Sequence, residues 1–145
     1  MTAIQLEVQS AHGFVPLLVV LLMLVIFWAG IKVGKARELY GVNYPQMYAE
    51  QSNRYAKAFN CLQRGHQNNL EQTPIFLALL FTSSVYRPQI VVIAGLVRVL
   101  GFIVYMRGYS SGDPKKRLQG LFGLVALLVN AGLTVEVGLR MVGGL

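Results

Sequence analysis

The sequence has little charge. Only 13% of its 145 residues are Asp, Glu, Lys or Arg, while 54% are hydrophobic, and the mean hydropathy is positive. That balance argues against a soluble globular domain and for an integral membrane protein. Acidic residues are scarcest, six against thirteen Lys and Arg, which leaves a net charge of +7. The excess raises the question of nucleic acid. No basic run alternates with aromatics on a soluble module, so nucleic acid is not an expected partner, and membrane orientation accounts for the charge better. Cysteine is almost absent. Cys61 alone excludes an intrachain disulfide and leaves the redox compartment unread. Lys and Arg are missing before Lys32, and the first charge of either sign is Glu7. Without a basic n-region, a cleavable signal peptide is not expected, and the first apolar run should stay as a membrane anchor. There is no convincing internal repeat, and no length left for a separate soluble domain beside four spans.

What is present is a set of apolar runs. The fold class expected is all-α: an integral membrane four-helix bundle, one domain over residues 1–145, with spans of about 13–31, 59–83, 88–109 and 118–141. The first, Gly13 to Ile31, carries no charge between its ends and reaches ~28 Å, enough for the hydrocarbon core. The second is polar in its first half and apolar from Pro74 to Phe81, so hydropathy alone scores it poorly. Pro74 removes a backbone donor and should bend that helix near Leu70. Arg98 interrupts the third span, and Asn130 lies near the middle of the fourth.

The loops orient the chain. Lys32, Lys35, Arg37, Arg54 and Lys57 surround the first loop, and Lys115, Lys116 and Arg117 occupy the third, whereas the second has only Arg87. The positive-inside bias puts loops one and three in the cytosol and both termini outside. The first loop is long for a helical hairpin and carries Tyr40, Tyr44 and Pro45, which points to a structured lid or interfacial turn.

The second span holds the densest polar segment, Arg64-Gly65-His66-Gln67-Asn68-Asn69-Leu70-Glu71. Arg64, Asn68 and Glu71 stand at i, i+4 and i+7, within roughly 40° of one another around a helix. Asn60 and Gln67 fall on the same side, and His66 points away from Arg64. An ionisable residue at the centre of a spanning helix costs at least ~2.5–3.5 kcal/mol, so it is rarely idle. On the third span Arg98, Phe102, Tyr105 and Tyr109 form a second stripe. By helical rise Glu71 and Arg98 both lie ~16–18 Å deep, with Asn130 at similar depth. A midplane layer of these three would pair one buried acid with one buried base. The plainer reading of Asn130 and Gln67 is interhelical hydrogen bonding, that of Cys61 is packing, and that of Tyr105 and Tyr109 is an interfacial aromatic belt. Arg64 with the loop cations Arg37 and Arg117 should attract an anion, Glu71 can hold an ammonium, and the amides can bind peptide groups. A small zwitterionic peptide with extra carboxylates, such as glutathione, meets those terms.

The stretch Phe59-Asn60-Cys61-Leu62-Gln63-Arg64-Gly65-His66-Gln67-Asn68-Asn69-Leu70-Glu71 closely resembles the second-helix signature of the microsomal glutathione transferase 3 group. That group belongs to the membrane-associated proteins in eicosanoid and glutathione metabolism, the MAPEG family. Lys35-Ala36-Arg37 resembles the end of that family's first helix, Tyr44-Pro45 its first-loop pattern, and Gly108 to Arg117 its third helix and loop. Four ordered matches over most of the chain make the resemblance specific. It implies a left-handed bundle assembled as a homotrimer in the endoplasmic reticulum, with glutathione between neighbouring subunits on the cytosolic side. It maps glutathione contacts onto Arg64, Asn68, Glu71, Tyr105 and Tyr109 of one subunit, with Arg37 and His66 from the neighbour. The arginine used at the thiol by leukotriene C4 synthase members matches Arg117, with one inserted residue in the third loop. Two positions depart from the pattern. Phe102 stands where the family commonly has an arginine, and the chain ends Val142-Gly143-Gly144-Leu145 without the cysteine-bearing tail of some members, so lipidation there is not expected.

The leading functional expectation is a membrane glutathione transferase with peroxidase capability. Its co-substrate would be glutathione, its second substrate a lipophilic electrophile or lipid hydroperoxide, and its surroundings membrane lipids. No metal or nucleotide is needed. The alternatives are a non-catalytic lipid-binding or scaffold member, favoured by Phe102, and an accessory subunit of a larger membrane assembly.

Overall fold

The computed structural model describes residues 7–143. The first six residues of the N-terminal tail and the last two of the cysteine-free C-terminal tail lie outside them. Four long helices account for most of the described chain: α1 (Phe14–Tyr40), α2 (Ala56–Ser83), α3 (Pro88–Tyr109) and α4 (Phe122–Met141). A short 3-10 turn, Ser10–Gly13, leads into α1, and a longer 3-10 segment, Pro114–Gly120, joins α3 to α4. Helices α2 and α3 each pack on the other three, and α1 and α4 flank them.

The composition of α1 explains its place. Val15, Leu18, Leu22, Val25, Ala29, Val33 and Ala36 are buried, a stripe at spacings of three and four that defines one helix face. The opposite face is also apolar and exposed, with Leu17, Leu24, Phe27 and Ile31 outward. A helix that is hydrophobic all round needs lipid or protein on every side. Three stretches, Ser10–Tyr40, Pro88–Tyr109 and Phe122–Met141, are long and apolar enough to cross a membrane, which makes this a membrane protein. Helix α2 is long enough but too polar to join them by hydropathy.

Helix bounds differ from the apolar runs where hydropathy and helicity part. α1 continues through Lys32, Lys35 and Arg37 to Tyr40, because helical hydrogen bonding continues beyond the apolar run. It stops at Gly41, whose φ of 66° is the left-handed conformation glycine adopts most readily. α4 begins at Phe122 rather than near Leu118, because Pro114 to Gly120 form the 3-10 segment. Asp113 caps that segment by accepting from the Lys115 backbone N–H at 3.0 Å. α2 runs unbroken through Pro74.

Two apolar clusters hold the bundle. The larger joins Val15, Leu18 and Leu22 of α1 to Phe76 and Leu80 of α2 and Val91, Val99 and Phe102 of α3. Phe76 and Phe102 meet edge-to-face at 6.3 Å, a geometry that suits two aromatic quadrupoles. The smaller cluster lies at the first-loop end and includes Val33, Val42, Phe59, Leu62 and Met106. At the other end Arg87 makes a two-pronged bond to Glu136, 2.7 and 2.8 Å, and Arg140 joins the same carboxylate at 3.0 Å. That network ties the second loop to the end of α4.

Candidate functional site

The polar face of α2 serves two purposes. At its start Asn60 clamps the first loop: its side-chain oxygen accepts from the Ala49 N–H at 2.8 Å and its amide donates to the Ala49 carbonyl at 3.0 Å. One helical stretch further, Gln67 accepts from the Tyr48 hydroxyl at 2.5 Å. Arg37 secures the same loop from α1, donating to the Gln46 carbonyl at 2.6 Å and lying 4.5 Å from the Tyr44 ring and 5.3 Å from the Phe59 ring. Asn60, Gln67 and Arg37 thus hold residues 41–55 against the helix ends. Tyr48, which sequence reasoning did not single out, is a partner in that strap.

Beside the strap the α2 face is open. Arg64 and Glu71 form an ion pair at 2.8 Å, with 41% and 47% of their side chains exposed. Two turns apart on one helix, they reach each other along its surface. Helix α3 packs closely at Gly65: a Cβ there would stand 3.2 Å from the Met106 Sδ and 3.4 Å from the Tyr109 ring. Tyr109 meets Tyr105 edge-to-face at 5.6 Å. Tyr105 and Asn68 line one cavity.

Arg117 arrives from the 3-10 segment. Gly108 brings the chain so close that a Cβ on it would strike the Lys116 carbonyl, which places the next residue against α3. There Arg117 donates to the Tyr109 hydroxyl at 3.4 Å, and its guanidinium lies 5.5 Å from that ring. Arg64, Asn68, Glu71, Tyr105, Tyr109 and Arg117 therefore form a connected set on one side of the protomer. Its chemistry is a guanidinium and a carboxylate for opposite charges, an amide, two phenols, and a second, exposed guanidinium.

Arg37 and His66 are not in that set. Arg37 is buried in the strap. His66 is half-buried in the groove with α1, its Nε2 3.6 Å from where a Cβ on Gly30 would stand, in keeping with its pointing away from Arg64.

The expected midplane pairing is corrected. Glu71 bonds Arg64, and Arg98 donates instead to the side-chain oxygen of Gln72. A step of one residue turns the side chain by about 100°, so Gln72 points inward and Glu71 outward. Asn130 is fully buried, and neither of its amide atoms has a hydrogen-bond partner among the described residues. Depth matched three residues that the helix faces separate.

Between α2, α3 and the start of α4 lies a cavity of about 90 Å³, walled by Asn68, Asn69, Gln72, Arg98, Phe102 and Tyr105 among others. Sites that enclose small molecules span ~300–1,000 Å³. One protomer therefore supplies a wall and a notch, not an enclosure for a tripeptide. Phe102, 2% exposed, belongs to the core between Arg98 and Phe76.

Among known protein families, the model of the MAPEG family matches residues 15–139. The match runs from the second residue of α1 to within two residues of the end of α4 and includes every member of the connected set.

Proposed function

The chain belongs to the MAPEG family, and from that premise we propose that it is a membrane-bound glutathione transferase with peroxidase capability, of the microsomal glutathione transferase 3 kind. The observation that carries the proposal is the connected set itself. Arg64 and Glu71 offer opposite charges to a zwitterion. Asn68 and Tyr105 offer polar contacts beside a notch, and Arg117 stands exposed at the Tyr109 hydroxyl.

In this reading Arg64, Asn68, Glu71, Tyr105 and Tyr109 hold glutathione, and Arg117 acts at the thiol. A free thiol has a pKa near ~8.5, so only a few per cent is thiolate at pH 7. Lowering it by about two units needs ~2.7 kcal/mol of preference for the anion, within reach of a guanidinium in a partly dry site. In conjugation the thiolate sulfur bonds the electrophilic carbon, and the displaced electron pair takes a proton from water. In hydroperoxide reduction the sulfur attacks the peroxide oxygen, and the O–O bond breaks to release an alcohol. A second glutathione then displaces hydroxide from the oxidised sulfur, leaving the disulfide and water. The second substrate arrives from the bilayer.

The reading includes a homotrimer. A half-exposed ion pair on a helix surrounded by apolar spans cannot face lipid cheaply, so a neighbouring copy would cover it and complete the enclosure. Arg37 and His66 lie away from Arg64 in their own protomer, so they could meet the ligand only from such a copy. The reading also puts loops one and three in the cytosol and the termini in the lumen of the endoplasmic reticulum, as the positive-inside bias supports.

The test is glutathione-dependent conjugation and hydroperoxide reduction by purified protein in detergent. Turnover supports the proposal. Glutathione binding without turnover supports the second reading, a lipid-binding or scaffold member, which the burial of Phe102 in the core favours. Neither binding nor turnover points to an accessory subunit.

A further inference from the structure

Arg98 lies mid-way along α3, 4% exposed, and no carboxylate forms an ion pair with it among the described residues. Its contacts are neutral. One terminal nitrogen donates to the Gln72 side chain, and the guanidinium sits 4.3 Å over the Phe102 ring. The other terminal nitrogen is 3.5 Å from where a Cβ on Gly123 of α4 would stand. Its Nε has no hydrogen-bond partner among the described residues. One amide dipole and one aromatic face do not replace the hydration shell of a full charge inside a membrane bundle.

The same guanidinium lines the cavity of about 90 Å³ between α2, α3 and α4. Asn69 lines it as well, 3% exposed and with its side-chain oxygen unpartnered. A water needs roughly 10–15 Å³ of such space, so the cavity has room for several waters or one carboxylate group, but not for a whole ligand. Tyr105, Leu121 and Leu124 also wall it, and the two leucines, at the start of α4, are exposed. The notch combines an uncompensated cation, amides able to turn an NH₂ inward, and an apolar rim. That is the shape and polarity for the acid end of a longer molecule.

We propose that this cavity is a carboxylate subsite in which Arg98 receives the anion. The acid can come from a fatty-acid-like lipid entering past Leu121 and Leu124, or from a peptide lying along α2. Only the peptide source rests on the glutathione reading.

The experiment measures binding by calorimetry to full-length protein in nanodiscs, with two matched pairs of probes: oleate against oleamide, and glutathione against its diethyl ester. Arg98→Gln is expected to weaken at least one acid about tenfold or more, as loss of a charge-assisted bond does. Its capped partner should change less than about twofold by the same reasoning, and Arg98→Lys should keep part of the affinity. Selective loss of oleate identifies a lipid acid, and selective loss of glutathione identifies the peptide. A second variant, Asn69→Asp, supplies an internal carboxylate: it should raise the melting temperature and abolish the preference for acid over capped probe without touching Arg98. Equal losses for acid and capped probes, or an unchanged preference in these variants, overturn the proposal. If glutathione fails to bind the wild-type protein, the proposed function fails while the oleate pair still decides the subsite.

Discussion

At the scale of single residues, the three arginines on the α2–α3 side have different environments and so different expected roles. Arg117 is exposed, and among the described residues its side chain bonds Tyr109 alone, which suits a charge that acts on a bound thiol. Arg117→Ala should lower kcat about 25-fold at pH 7, because a thiol whose pKa returns from ~6.5 to ~8.5 falls from about three-quarters to about 3% thiolate, while glutathione affinity stays within about threefold. Steady-state kinetics beside equilibrium titration separates the two, and full turnover in this variant removes Arg117 from the chemistry. Arg64 and Glu71 are partners of each other. Because the pair is half-exposed and screened by solvent, breaking it should change stability little. Arg64→Ala and Glu71→Ala should nevertheless weaken glutathione binding about tenfold or more, the loss expected for a charge-assisted contact. Unchanged affinity in both variants rejects the site. Arg98, paired with neither, has a place in the core rather than on that face.

At the scale of elements, two devices position the site. The first is the strap of residues 41–55, held by the Asn60 amide on both backbone groups of Ala49. Asn60→Ala removes two bonds worth about 1 kcal/mol each. It should speed amide hydrogen exchange in residues 46–50 while the middle of α2 stays protected. Equal exchange in both proteins would show that Arg37 and Tyr48 hold the strap alone. The second device is close backbone contact. A Cβ on Gly101 would stand 2.6 Å from the Cα of Gly123, and Gly108 does the same for the 3-10 segment. Gly108→Ala should destabilise by ~1–3 kcal/mol as overpacking does and should also lower kcat, because Arg117 moves with that segment. A lower melting temperature with unchanged kcat would separate the segment from the chemistry.

At the scale of the whole molecule, the protomer carries a polar face on an apolar bundle. Helix α2 exposes Arg64 and Glu71, whereas α1 and α4 expose Leu, Val and Phe. Covering the first by self-association and leaving the second to lipid is the arrangement that desolvates least charge. On the proposed homotrimer, native mass measurement in mild detergent should show three copies, and Arg64→Ala with Glu71→Ala should leave that assembly intact if ligand binding is their main task. Orientation has a direct check. Cys61 is buried, so a Ser111→Cys variant offers one accessible thiol in the third loop. In sealed microsomes it should react with an impermeant maleimide from the cytosolic side, and labelling from the lumen alone would reverse the topology.

Spans one, three and four were legible because predominantly apolar stretches of about twenty residues have few other solutions. The Arg64–Asn68–Glu71 face was legible because helical spacing places those side chains together whatever the helix packs on. Helical rise gave Glu71 and Arg98 the same depth, but depth carries no azimuth. Only tertiary structure decided that Gln72 faces Arg98, since that depends on how α2 is rotated against α3. The partners of Asn60, Gln67 and Arg37 were hidden for a related reason: they bond backbone groups and one tyrosine of an irregular loop, which has no periodicity to read. The sequence by itself determined a helical membrane protein of the MAPEG family and the surface of α2 that carries its polar groups. The three-dimensional structure decided which of those groups are free for a ligand and which are spent on the fold, because hydrogen-bond partners are chosen by rotation and contact between elements.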